Sequence, residues 1–151
     1  LGKEEDIMNR FGSILIISAL VWFVFLCGCE NPVSADLDQE FKLKVGRQAF
    51  IEEENLKIFF ISVPEDSRCP IGAVCFWSGN GEVSIELVKD YDETIDTLNT
   101  HIDPNSAQFL NYQVILKNLD PYPVEGEFID PKNYVATLVV KKIYNNEPEI
   151  K

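Results

Sequence analysis

The stretch Asp66-Ser67-Arg68-Cys69-Pro70-Ile71-Gly72-Ala73-Val74-Cys75-Phe76-Trp77-Ser78-Gly79-Asn80-Gly81, with the run that leaves it, Glu82-Val83-Ser84-Ile85-Glu86-Leu87, decides how the chain is read. In that run Val83, Ile85 and Leu87 alternate with Glu82, Ser84 and Glu86. Successive side chains of a strand point to opposite faces, so this alternation predicts a strand with one face in a core and the other in water. Gly79-Asn80-Gly81 is expected to be the turn that launches it, because Gly and Asn tolerate left-handed backbone. The two cysteines, with Trp77 just beyond them, make a corner around which the other strands are expected to pack. Their spacing is C-x5-C, not the C-x-x-C of a redox motif.

Working outward, the period stays at two over nearly the whole chain from Gln39. Phe41, Leu43 and Val45 alternate with Lys42 and Lys44; Ala49, Phe50 and Ile51 follow, stopped by Glu52-Glu53-Glu54-Asn55. Leu56–Val63 is apolar on both faces through its middle, the pattern of a central strand buried between layers. Asp90-Tyr91-Asp92 reads as a turn into a weaker strand at Glu93–Leu98, and 99–111 as a long loop around Asp103-Pro104-Asn105-Ser106. Tyr112–Leu119 is strand-like again. Asp120-Pro121-Tyr122-Pro123 is not a central strand, because two prolines remove ladder donors. Tyr134–Ile143 closes the pattern, with Tyr134, Ala136, Leu138 and Val140 on one face. About seven short strands with polar turns predict an all-β domain, a single antiparallel β-sandwich, with a small β-barrel as the alternative. The immunoglobulin pattern is excluded, since its cysteines lie far apart in sequence whereas here both sit in one loop.

The N-terminal region has a different character. Ile14–Leu26 is a block of 13 residues, apolar but for Ser18, preceded by Met8-Asn9-Arg10 and followed by Cys27-Gly28-Cys29. As a helix it would cover about 20 Å, short of the roughly 30 Å hydrocarbon core, so a cleaved signal helix is favoured over a spanning one. Leu26-Cys27-Gly28-Cys29 resembles the lipobox of bacterial lipoproteins, with Leu three before and Gly one before the modified Cys. The resemblance implies that Cys29 carries lipid and becomes the mature N-terminus, an anchor stable because several acyl chains share it. An ordinary cleaved signal is the alternative. The expected organisation is therefore 1–7 as an over-called start, 8–28 as lipoprotein signal peptide, 29–38 as tether, 39–145 as β-sandwich and 146–151 as tail. Localisation would be exported, on the bacterial envelope, at the outer membrane or cell surface rather than the inner membrane. Glu30 is not the Asp that some bacteria use for inner-membrane retention.

With Cys27 lost in the signal and Cys29 lipidated, Cys69 and Cys75 remain, and in an oxidising compartment a lone pair reads as a structural disulfide. A metal site would need more Cys or His ligands, and the chain has one His, His101. Three pieces in order, Phe41-Lys42-Leu43-Lys44-Val45-Gly46, then Asp66-Ser67-Arg68-Cys69-Pro70 with Cys75-Phe76-Trp77-Ser78-Gly79, then Leu119-Asp120-Pro121-Tyr122-Pro123, resemble a family of uncharacterised small exported bacterial proteins and lipoproteins. Its signature is Asp-Ser-Arg-Cys-Pro…Cys-x-Trp-x-Gly. The resemblance implies one all-β domain with the disulfide as its hallmark, and brings no activity with it.

The chain carries 25 Asp and Glu against 13 Lys and Arg, a net charge of −12, which argues against nucleic acid as a partner. Arg68 and Trp77 are the candidate binding-loop residues. A projecting, cysteine-pinned loop would present Arg68 as protease inhibitors present a rigid segment, because preorganisation lowers the entropy cost of binding. The competing reading pairs Arg68 locally with Asp66 and packs Trp77 over the bridge. Asp90, Asp92, Glu93 and Asp96 offer oxygen ligands for Ca2+ but lack a loop's Gly and spacing, so a solvated surface is expected. Glu82 and Glu86 lie on a strand's polar face, and His101 has no evident partner. The motifs Gly-x-Ser-x-Gly, His-Glu-x-x-His and the P-loop do not occur. Tyr91, Tyr112, Tyr122, Tyr134 and Trp77 are candidates for an aromatic patch. The expected function is a non-catalytic binding or envelope-associated module, without catalytic residues or cofactor, that meets the membrane through Cys29 and an unidentified protein or glycan through its domain. An inhibitor, or an enzyme with dispersed carboxylates, is the alternative.

Overall fold

The computed structural model describes residues 32–144. The signal helix, Cys29 and the tail lie outside the described residues. The described chain forms nine strands: β1 (Val33–Ser34), β2 (Glu40–Lys44), β3 (Gln48–Ile51), β4 (Leu56–Ser62), β5 (Glu82–Lys89), β6 (Asp92–Asn99), β7 (Ser106–Phe109), β8 (Tyr112–Asp120) and β9 (Val135–Lys142). They make two sheets, β1-β3-β4-β5-β6 and β2-β9-β8-β7. From β2 to β9 the spatial order follows the sequence and returns to its start, because β9 pairs with β2. The circuit opens at the two places where the chain changes sheets, after β2 and after β6, so the fold is a sandwich and not a closed barrel.

Alternation explains the core. Leu56, Ile58, Phe60, Val83, Ile85 and Leu87 of one sheet bury their side chains against Leu43, Val114, Leu119, Ala136, Leu138 and Val140 of the other. The polar partners of the same strands remain at or near the surface, as an antiparallel sheet with one wet face requires. β4 corrects the reading of a strand buried on both faces. With two layers only one face is internal, and Phe59 and Ile61 are half-covered on the outside.

Two further departures raise the expected seven strands to nine. Ser106–Phe109, read as loop, is a strand against β8, with Ala107 and Phe109 buried. The expected tether is folded onto the domain from Pro32. Val33–Ser34 pairs in parallel with β3, Ala35 is buried with its N–H on the Phe50 carbonyl at 3.1 Å, and the Asp38 N–H reaches the Val140 carbonyl at 2.8 Å. These segments have too few residues for periodicity to show, and tertiary pairing alone defines them. β8 carries an irregularity that matters below. Leu116 faces Leu138 and Asn118 faces Thr137, so Lys117 is an extra, bulged residue.

The topology sorts the loops to two ends. One end gathers the β3–β4, β5–β6 and β7–β8 turns. The other gathers the β4–β5, β6–β7 and β8–β9 connections, and it holds the cysteine corner.

Candidate functional site

Strands β4 and β5 are neighbours, yet the chain takes 63–81 to pass between them. This excursion is a hairpin-like loop. The Ser67 N–H donates to the Asn80 carbonyl at 2.7 Å, the Cys69 N–H to the Ser78 carbonyl at 2.8 Å, and Asp66 bridges antiparallel to Gly81. Gly79-Asn80-Gly81 is thus one leg of the loop and not the turn expected there. The glycines are needed for contact. At Gly79 φ is +72°, and a Cβ would stand 1.9 Å from the Ser67 carbonyl oxygen. At Gly81 a Cβ would stand 3.0 Å from the Leu119 side chain and 3.2 Å from Arg68 Nε. Beyond the paired legs, a disulfide joins Cys69 to Cys75.

Arg68 corrects the reading in which a projecting loop presents it, and the competing reading, its local pairing with Asp66, is what forms. Arg68 is 3% exposed, pointing into the domain and not out of the loop. Its Nε donates to Asp66 Oδ1 at 2.7 Å and its Nη2 to Asp66 Oδ2 at 2.6 Å, the bidentate fork that a planar guanidinium makes with a carboxylate. Nη1 donates to the Leu119 carbonyl, Nη2 also to the Pro121 carbonyl at 2.9 Å, and the guanidinium lies 5.0 Å from the centre of the Tyr122 ring. The Tyr134 hydroxyl donates to Asp66 Oδ2 at 2.9 Å. One buried cation therefore ties the β4–β5 loop to the end of β8 and the loop after it. Burial pushes the Asp66 carboxyl up, but the bonds from Arg68 and Tyr134 outweigh it and hold the group below its ordinary range. Burial, then the hydrogen bond to Asp66 and its charge, pushes the Tyr134 hydroxyl up to about 12. Among the described residues no buried side-chain nitrogen or oxygen lacks a hydrogen-bond partner.

With Arg68 inside, the loop presents apolar groups. Val74 and Phe76 are fully exposed, and Ile71 and Trp77 are 61% and 60% exposed. Trp77 therefore does not close over the bridge. The β8–β9 loop runs alongside: the Ile71 N–H donates to the Pro123 carbonyl at 2.9 Å and the Glu125 N–H to the Ile71 carbonyl at 3.0 Å. That second loop adds exposed Phe128 and the partly exposed Tyr122. Single exposed apolar residues are ordinary, but several gathered on two adjoined loops are not. Around this crown stand the exposed carboxylates Glu65, Glu125 and Glu127.

The other candidates separate. Tyr91 is exposed on the β5–β6 turn and Tyr112 is buried at the same end, while Trp77, Tyr122 and Tyr134 lie at the crown end, so the five aromatics form no single patch. Asp90 accepts from Asn55 Nδ2 at 2.8 Å, and among the described residues no three His, Cys, Asp or Glu side chains gather as a metal site. Glu82 and Glu86 sit half-covered on the outer face of β5. His101 is exposed, its Nδ1 3.0 Å from Thr100 Oγ1.

Two arrangements were invisible in the sequence. At the far end Lys142 Nζ donates to Glu54 Oε1 at 2.7 Å and the Tyr112 hydroxyl donates to Oε2, joining the β3–β4 turn to the other sheet. The Lys142 bond lowers the Glu54 carboxyl, and burial followed by Glu54 pushes Tyr112 up to about 12. The second is the crown itself. Ile71, Val74 and Phe76 lie in the cysteine loop, but charge and indole carry the usual binding signal, so the sequence points to Arg68 and Trp77 instead. No family model matches the chain, and no curated protein or solved structure matches it.

Proposed function

We propose that this chain is a lipid-anchored, non-catalytic binding module that docks a protein partner on the crown. The observation that carries the reading is the exposure of Val74 and Phe76, with Ile71 and Trp77 beside them, on a loop locked at its base by a disulfide and a buried arginine. Burying a large apolar side chain contributes roughly 1.5–3 kcal/mol, and a partner recovers this when it covers the crown. The staple and the ion pair fix the loop beforehand, so little ordering is charged against binding. The exposed carboxylates nearby and the net charge of −12 favour an apolar cleft with a basic rim over an anionic lipid surface. The apolar block and Leu26-Cys27-Gly28-Cys29 support the anchor, which would hold the module at a membrane. The inhibitor reading loses the residue it depended on, because Arg68 is buried.

The test is a photo-crosslinking amino acid at position 76 of the full-length chain in its native envelope. An adduct with a different protein, lost when Val74 and Trp77 are changed to serine, supports the reading. An adduct mainly with lipid, or with a second copy of the chain, overturns it.

A further inference from the structure

We infer that a second, separate site on this domain binds a small oxyanion, such as a carboxylate or phosphate group, in the cleft between the β6–β7 connection and the bulge of β8. β7 begins at Ser106 opposite Ile115, so beyond that point this edge of β8 has no strand beside it and the 100–105 segment takes the place. A cavity of about 170 Å³ remains there, lined by Thr100, His101, Lys117, Asn118 and Tyr122 over a floor that includes Arg68. That is room for several waters or a small polar group.

The lining is unusual for this chain. Acids outnumber bases 25 to 13 overall, yet the cavity wall holds Arg68, His101 and Lys117 and no carboxylate. The Arg68 charge is already matched by Asp66, so Lys117, which forms no ion pair among the described residues, supplies the cation and His101 the second donor. The bulge puts them there. Alternation would bury one of Lys117 and Asn118, but the extra residue leaves both exposed and turns them to this edge.

His101 is placed as firmly. The buried Asn80 side chain accepts through Oδ1 from the N–H groups of Thr100 at 3.1 Å and His101 at 3.2 Å, and donates through Nδ2 to Asn99 Oδ1 at 2.7 Å. Thr100 Oγ1 accepts from the Gly81 N–H at 2.8 Å. The nearer acceptor for its own proton is His101 Nδ1 at 3.0 Å, against 3.4 Å to Asn80 Oδ1. That assignment leaves the proton on Nε2, so the ring offers a donor whether neutral or cationic. Tyr122, its ring held by the Arg68 guanidinium, supplies the remaining wall.

The experiment is a titration of 15N-labelled full-length protein with inorganic phosphate and, separately, sodium acetate, at ionic strength held constant with sodium chloride. Saturating shifts centred on Thr100, His101, Lys117 and Asn118 are expected. Lys117→Ala and His101→Gln each weaken binding about tenfold, the loss of one charge-assisted hydrogen bond. Lys141→Ala, an exposed lysine on β9, leaves binding unchanged. The stronger of the two probes tells a tetrahedral from a planar anion. Shifts that never saturate, that spread over all lysines, or that titrate with unchanged affinity in Lys117→Ala overturn the site. So does a null result with both anions. None of these outcomes depends on what the crown binds.

Discussion

Replacing Arg68 with methionine keeps the length of the side chain and removes its charge and donors. Four hydrogen bonds are lost: two to Asp66 and one each to the carbonyls of Leu119 and Pro121. Asp66 keeps only the Tyr134 hydroxyl and the Arg68 backbone N–H, the latter at 3.3 Å, against a buried charge. Breaking a buried pair from one side costs about 3–5 kcal/mol, mostly for the ion left behind. That is a fifth or more of the roughly 5–15 kcal/mol that holds a domain of this size, and at about 4 °C per kcal/mol the melting temperature falls by about 15 °C. Circular dichroism, with the disulfide kept oxidised, measures it. Two further readouts separate ion pairing from lost packing. The double variant Asp66→Asn/Arg68→Met costs less than the sum of its parts, because the stranded charge goes with the second change.

The pH dependence also inverts. In the native protein Asp66 sits below its ordinary value of 3.8, so its contribution is complete above that pH and is lost as pH falls below it. In Arg68→Met, burial without the guanidinium raises the carboxyl, and mild acid stabilises the variant by neutralising it. A melting temperature within about 3 °C of the native protein, or strict additivity, would refute the central role given to this pair.

Three other outcomes follow from the same geometry. Val74→Ser with Phe76→Ser changes the melting temperature by less than about 2 °C, since exposed substitutions usually stay within 0.5 kcal/mol; a larger loss would mean these side chains pack on the domain. Gly79→Ala costs at least about 3 kcal/mol by urea denaturation, because a Cβ collides with the Ser67 carbonyl. Gly126→Ala has a similar φ, +78° against +72°, but open space around it, and so costs only about 1 kcal/mol. Raising the pH from 10 towards 12 unfolds the protein, because unfolded tyrosine ionises near 10 whereas Tyr112 and Tyr134 hold their protons to about 12. Each contributes up to about 3 kcal/mol over that window, and replacing both by phenylalanine flattens the alkaline limb.

The sandwich was legible because most of its strands are long enough to repeat a period of two. Val83, Ile85 and Leu87 identify the inward face of β5 without help from the rest of the chain. Val33–Ser34 and Ser106–Phe109 were not legible, since two and four residues carry only one and two periods, too few to stand out from chance. The site divides in the same way. Cys69 and Cys75 could be paired by counting. The direction in which Arg68 points could not be read, because it depends on carbonyls 51 and 53 residues away that have no side-chain signature.

That long-range dependence also explains why the crown needs this particular support. An apolar loop tip left free would turn inward and cover its own side chains, as in the reading that packs Trp77 over the bridge. The disulfide alone does not prevent this, since it closes a loop of a few residues and leaves the legs free to rotate on the domain. Arg68 removes that freedom by fastening one leg to Leu119 and Pro121, and Gly79 and Gly81 let the second leg lie close enough to keep the pair dry. Ile71 then anchors the tip to the β8–β9 loop through two backbone bonds. With base, legs and tip all held, Val74 and Phe76 remain in water. It follows that Arg68→Met should do more than lower stability. Exchange of the amide protons of 70–78 should quicken beyond what the global change accounts for, and Trp77 should become less exposed. If those amides instead exchange with the same free energy as the core of β5, the loop is held by the sandwich as a whole and the arginine is only one contributor among many.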